Sequence, residues 1–259
     1  MLLLLVITVI VMVQGGLQRR GRRLTIGMRH ALRRMSGVER TRDRPLAAGL
    51  VAPAEALALA AVLLLAAFAL VLQLNRLALY LSFFAVAVTL IYPYLKRFFA
   101  FPQAGLGIAF SFGVPMAYAA QRNALPPDAW VLMTATFFWI IAYDTEYAMV
   151  DRDDDIKLGL NSSAITLGRH DVAAVMLCHA AFLVTMVVIG LRQRLGALYY
   201  GGLLVAACLA VYQYRLIRDR SREGCFRAFN NNNWMGAAVF AGIMFELMLQ
   251  FWIFGVRIR

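Results

Sequence analysis

Apolar residues in this chain fall in long, nearly unbroken runs, without the alternation of a strand or the stripe of a surface helix. Crossing ~30 Å of hydrocarbon takes roughly 20 such residues in a helix. Seven runs reach that length, at approximately 54–74, 77–95, 102–120, 128–149, 171–191, 196–216 and 234–255. An eighth, Met1 to Val13, is too short to span comfortably. It lacks the basic n-region and small-residue cleavage site of a secretory signal, and reads as a transmembrane helix without its beginning. No stretch reads as a soluble domain, a linker or a short-period repeat. The pattern predicts an all-α, polytopic transmembrane helical bundle, a single membrane-embedded domain over 1–259.

Composition agrees with the pattern. Of 259 residues, 62% are hydrophobic and 15% charged, and mean hydropathy is +0.69. Soluble domains carry about a quarter charged residues, so a cytosolic enzyme and a disordered protein are both excluded. The net charge of +12 comes from 26 basic and 14 acidic residues, and only Lys96 and Lys157 are lysines. Assigning loops 14–51, 96–101, 150–170 and 217–233 to one membrane side gathers 20 of the 26 basic residues there, Arg215 included. Removing the seven arginines of 19–34 still leaves 13 against six. That side is cytoplasmic by the positive-inside rule, which accounts for the basicity without nucleic acid. Cys178, Cys208 and Cys225 form no CxxC or Cys/His cluster, so neither disulfides nor zinc is expected.

Six of the 14 acids fall between Asp144 and Asp155, at the cytoplasmic end of the fourth run. On a continuous helix Asp144, Asp151 and Asp155 share one face within about 40°, Asp154 lies beside it and Asp153 points away. Stacked carboxylates repel and resist desolvation unless a cation sits among them. Mg²⁺ suits this role, because it takes one or two carboxylates and fills its other positions with water and phosphate oxygens. Asp153 fits a solvated loop ending at Gly159. Asp144 does not, since it follows Phe137–Ala142 and still lies at membrane depth. A cation-permeation or proton-relay site is the competing reading. It calls for acids spread through several spans, and Glu246 is the only other acid in mid-span.

Arginines suit phosphate oxygens through bidentate contacts. Arg40, Arg42 and Arg44 precede Pro45, and Lys96 and Arg97 follow Tyr92-Pro93-Tyr94 on the same membrane side. With the acidic helix they suggest a Mg²⁺-diphosphate site opening toward lipid. Arg97 is a candidate partner for an aromatic carboxylate. Tyr92, Tyr94 and Tyr147 are candidates to line an isoprenoid cavity, although interfaces collect tyrosine anyway. His30, His170 and His179 are too dispersed for a metal site, and His179, inside a span, is expected to bond between helices.

At these residues the chain resembles the UbiA superfamily of intramembrane aromatic prenyltransferases, in particular its 4-hydroxybenzoate polyprenyltransferase branch. Val38 to Gly49 resembles the segment after the family's first aspartate motif. Tyr92–Arg97 with Pro102-Gln103 and Leu106-Gly107 is similar to its central hairpin. Asp144–Asp155, continuing to Gly159 and Ser162–Ala164, resembles the second aspartate motif, and Phe226–Phe229 with Asn232–Gly236 the last-span signature. The resemblance implies nine helices around a cavity, with Mg²⁺ between two facing aspartate motifs. It implies transfer of a polyprenyl group from polyprenyl diphosphate to the 3-position of 4-hydroxybenzoate for ubiquinone biosynthesis, in a bacterial inner membrane with the site loops cytoplasmic. Asp144, Asp151 and Asp155 are the expected metal and catalytic residues, Asp144 as base. Arg40, Arg44, Lys96, Arg97, Tyr147 and Asn233 are the expected substrate-binding residues. Another aromatic acceptor, and a non-enzymatic transporter with an acidic cation site, are the alternatives.

The chain departs from the family upstream of Val38. The first motif would fall at Gly27, Met28, Ala31 and Met35, where no carboxylate stands, and Val13–Met35 has no acid and seven arginines. Three explanations remain open: a frameshift in the coding sequence closed near residue 36 together with a late start, a degenerate inactive copy, or an active enzyme using the second motif alone. Clamping a diphosphate from both sides argues against the third.

Overall fold

The computed structural model describes residues 45–46 and 48–254, without the side chains at 93, 94, 96–98 and 254. The chain divides into two compact units, Met1–Tyr94 and Leu95–Arg259.

The described part of the first unit is helical. Helix α1 spans Pro53–Val71, with proline at its start and the Glu55 carboxylate accepting from the Ala52 N–H at 2.9 Å, which satisfies a donor that the first turn leaves open. Helix α2, Arg76–Phe98, starts where Asn75 Oδ1 accepts from the Ala78 N–H at 2.9 Å. Phe68 of α1 and Phe83 of α2 meet with ring centroids 6.2 Å apart.

In the second unit the helices are α3 (Pro102–Ser111), α4 (Gly113–Arg122), α5 (Pro127–Val150), α6 (Arg152–Leu158), α7 (Ser163–Leu167), α8 (Asp171–Arg192), α9 (Ala197–Ile217) and α10 (Arg222–Phe254). Helix α5 packs against α3, α8 and α10, and α9 packs against α10. Antiparallel neighbours are tied at their ends: Asp128 in the first turn of α5 accepts from Arg192 and Gln193 at the end of α8. At Gly202 a Cβ would stand 2.7 Å from the Ala238 carbonyl oxygen and 2.9 Å from the Gly242 Cα. Only glycines let the backbones of α9 and α10 approach so closely, as small residues do between membrane helices. Buried Tyr199 of α9 donates its hydroxyl to the Met186 carbonyl of α8 at 2.6 Å.

Pro53–Val71, Ser163–Arg192, Ala197–Ile217 and Arg222–Ile253 are long and apolar enough to cross a membrane. This multi-pass pattern differs from the seven expected runs at three places. The run 77–95 appears as a shorter apolar stretch, Arg76–Tyr92. The run 102–120 is two helices meeting at Phe112. Pro115 has no N–H for the Ser111 carbonyl four residues back and its ring crowds that carbonyl, which ends the first helix there. The run 128–149 is one helix of 24 residues, but polar side chains dilute its apolar character.

Among the described residues of the second unit, two apolar clusters flank a polar layer. One includes Met149, Val175, Ile217 and Ala228, and the other Phe182, Tyr199, Ala210 and Met235. On three helices a single buried polar residue separates them: His179 between Val175 and Phe182, Gln213 between Ala210 and Ile217, Asn232 between Ala228 and Met235. Glu146 of α5 joins this layer.

Candidate active site

The acidic segment forms where α5 ends. Val150 is its last residue, and Asp151 (φ −94°, ψ 4°) links it to α6. The Asp155 N–H donates to the Asp151 carbonyl at 2.8 Å, so these two stand one turn apart. Helix α6 closes in a Schellman motif: Leu160 N–H donates to the Asp155 carbonyl at 3.0 Å and Gly159 N–H to that of Ile156 at 3.2 Å. Gly159 takes the left-handed conformation (φ 63°) that glycine adopts without penalty.

Asp144, Asp151 and Asp155 are each half-buried, whereas Asp153 is exposed, as its solvated reading requires. The kink at Asp151 interrupts the continuous helix on which the three-carboxylate stripe was expected. Among the described residues no three His, Cys, Asp or Glu side chains gather closely enough to hold a metal ion. What remains is Asp151 and Asp155 one turn apart. Two half-exposed carboxylates suit a cation that takes one or two of them and completes its shell with water and substrate oxygens. They do not suit a closed four-ligand site.

Asp154 pairs instead with Arg222 Nη2 at 3.0 Å and Lys157 Nζ at 3.8 Å. Asp171, fully buried at the start of α8, accepts from Arg220 Nε at 2.8 Å and Arg152 Nη1 at 3.4 Å. Arg220 also donates to the Arg169 carbonyl at 2.8 Å. Its hydrogen bond to Asp171, reinforced by the opposite charge, raises its pKa above that of an ordinary arginine. These ion pairs bind the segment after the acidic motif to the turn between α9 and α10.

Aromatic rings stand along the same end of α5. Trp139, Tyr143 and Tyr147 recur every fourth residue, and Phe229 of α10 lies 4.7 Å from Tyr147 and 6.1 Å from Tyr143 between ring centroids. Beneath them Trp139 Nε1 donates to Asn232 Oδ1 at 2.9 Å, and Asn232 Nδ2 donates to Glu146 Oε2 at 2.7 Å. On another side of α5, Thr145 and Ser163 hydroxyls meet at 3.0 Å, and the Ser163 N–H donates to Gln103 Oε1 at 2.8 Å.

Tyr147 therefore sits with the acidic segment, half-buried against Phe229. Asn233 is exposed, and its neighbour Asn232 makes the buried contacts in its place. One residue is 100° of helix, enough to exchange the two faces. Arg40 and Arg44 lie outside the described residues, as do Gly27, Met28, Ala31 and Met35, and the Lys96 and Arg97 side chains are likewise outside. His179 does face another helix, with Nε2 3.7 Å from Glu146 Oε1, beyond direct hydrogen bonding. The sequence alone assigns no role to Glu146. Its apolar neighbours at helical spacing were the available signal.

The sequence profile described as the UbiA prenyltransferase family matches residues 33–245. A 4-hydroxybenzoate octaprenyltransferase of Nitrosospira multiformis is 59% identical over 213 residues, covering 82% of this chain and 73% of that protein. One of Cupriavidus necator is 60% identical over 205 residues, covering 79% and 72%. An apo structure of a UbiA homolog from Aeropyrum pernix superposes with a TM-score of 0.70 at 24% identity, over 95% of this chain and 97% of that one, and so speaks for the fold. With a profile match across most of the chain and relatives near 60% identity, the chain belongs to the UbiA prenyltransferase family.

Proposed function

We propose that this chain transfers a polyprenyl group from polyprenyl diphosphate to carbon 3 of 4-hydroxybenzoate, releasing diphosphate, in the ubiquinone pathway. The observation that carries the reading is the 59% identity over 213 residues to a protein of that activity. The proposed setting is a bacterial inner membrane, in one domain over 1–259, with the Asp144–Gly159 end of α5 and α6 on the cytoplasmic side, where basic residues gather.

In the chemistry that follows, the allylic carbon–oxygen bond breaks and its electron pair leaves with diphosphate. The ring carbon ortho to the phenol forms the new bond and then loses its proton. Asp144 is the proposed base, which takes the phenolic proton and makes the ring more nucleophilic. Tyr147, whose ring centroid lies 4.7 Å from that of Phe229, is proposed to line the isoprenoid cavity, where an aromatic ring face would stabilise the allylic cation. Asp151 and Asp155 would hold Mg²⁺, with Asp144 on the turns before them. When bound, Mg²⁺ supplies neutralisation of the charge that grows on the leaving diphosphate. Arg40, Arg44, Lys96 and Arg97 are proposed to bind that diphosphate or the acceptor carboxylate, and Asn233 is proposed as a further substrate contact.

The test is transfer of a radiolabelled isoprenoid to 4-hydroxybenzoate in membranes, with and without Mg²⁺. Mg²⁺-dependent product supports the reading, and ion flux without product would favour a transporter.

A further inference from the structure

Asp144 and Glu146 stand two residues apart on α5, hence about 200° apart around the helix. The two carboxylates cannot face the same way. Glu146 is the fully buried one, with 0% of its surface exposed, and Asp144 is half-buried. Asn232 of α10 grips α5 at two points two turns apart, donating to Glu146 and accepting from Trp139. Its amide nitrogen also reaches the Ala228 carbonyl at 3.2 Å within its own helix, so little of its bonding capacity is idle. On the other side His179 of α8 faces Glu146 Oε1 at 3.7 Å, itself fully buried. Turning α5 about its axis by one residue would break both Asn232 bonds and drive the Glu146 carboxylate into the apolar clusters that flank the layer. Buried polar groups of this kind add little stability, yet they penalise every other register.

We infer that Glu146 is a positioning residue: held by Asn232 and faced by His179, it sets the rotation of α5 and thereby the direction in which Asp144 and Tyr147 point. What Asp144 does when so aimed rests on the proposed prenyl transfer. The aim itself does not.

The test reads orientation first and turnover second, in the full chain in membranes. With Cys178, Cys208 and Cys225 replaced by alanine, Asp144→Cys places a single thiol whose rate of reaction with a water-soluble maleimide reports its direction. Glu146→Leu and Asn232→Leu should each change that rate at least fivefold. Glu146→Gln, which still accepts from Asn232, should leave it within twofold. The pair Glu146→Leu with Asn232→Leu should do no more than either alone, because both release one constraint. In the transfer assay with Asp144 present, Glu146→Leu should lower kcat at least tenfold with KM for the prenyl diphosphate within threefold, and Glu146→Gln should restore most of it. An unchanged thiol rate in Glu146→Leu overturns the inference, and so does a Glu146→Gln variant as altered as Glu146→Leu. Should Glu146→Leu not accumulate, Asn232→Leu decides by the same criteria. A thiol that responds as expected in a chain that transfers nothing would sink the catalytic reading and leave the positioning role standing.

Discussion

Asn232 spans two turns of a neighbouring helix, donating to Glu146 at 2.7 Å and accepting from Trp139 at 2.9 Å. A single amide thus links the last span to the helix that carries the second acidic motif. Breaking it leaves a buried carboxylate and a partly buried indole N–H without that partner. Asn232→Ala should therefore destabilise the folded protein by about 2–4 kcal/mol, read as a lower melting temperature in detergent.

Asp171 and Arg220 should respond unequally to removal. Arg220→Ala leaves the fully buried Asp171 with Arg152 as its arginine partner at 3.4 Å, and a cost of about 3 kcal/mol is expected. Asp171→Ala leaves two arginines, each about a third exposed, that water can reach, so about 1–2 kcal/mol should suffice. Thermal unfolding of both variants checks the order, and equal losses would contradict it.

The glycine crossing gives a steric prediction. Gly202→Ala sets a methyl group 2.7 Å from a backbone oxygen that cannot rotate away, so α9 and α10 must part. A loss of about 1–3 kcal/mol is expected. Gly201→Ala, with nothing within 4 Å, is the control and should melt with the parent.

Carboxylate roles separate by Mg²⁺ dependence. Asp151→Asn and Asp155→Asn should raise the Mg²⁺ concentration needed for half-maximal transfer and cut turnover by orders of magnitude. Asp144→Asn should lower kcat by about 10²-fold while the Mg²⁺ requirement stays. Full turnover in Asp144→Asn would remove it as the base. Exposed Asp153→Asn should change neither.

The segment upstream of Val38 is testable in DNA. If a frameshift explains the missing carboxylates at Gly27, Met28, Ala31 and Met35, another frame across codons 10 to 40 should encode Asn-Asp-x-x-Asp. Its absence from all frames would favour a degenerate copy.

Much of this fold was written in hydropathy, because lipid demands long apolar runs and hydrogen-bonded backbone. The end of α6 at Gly159 was equally legible, since a left-handed cap selects glycine. The break at Phe112 was less so: Pro115 announced it, but an apolar run conceals a helix boundary. Asn232 and Asn233 are not separable in the sequence, because four consecutive asparagines offer every angular position and only packing buries one of them. Glu146 was hidden by its acidic neighbours. Charge alone cannot distinguish an inward carboxylate from one that faces substrate, and that choice depends on residues 33 and 86 positions away in sequence, at His179 and Asn232.

Helix α10 runs 33 residues without a break, about 50 Å, against a hydrocarbon layer of about 30 Å. A rod longer than its slab can answer a change in slab thickness by tilting. It is tied near one end, where Arg222 meets Asp154, and lies close against α9 where Gly242 meets Gly202. Asn232 lies between those two points, so a tilt that strained either contact should be felt at the amide that donates to Glu146. Bilayer thickness should thereby reach the acidic end of α5, and the proposed transfer should run at different rates in lipids of different acyl length.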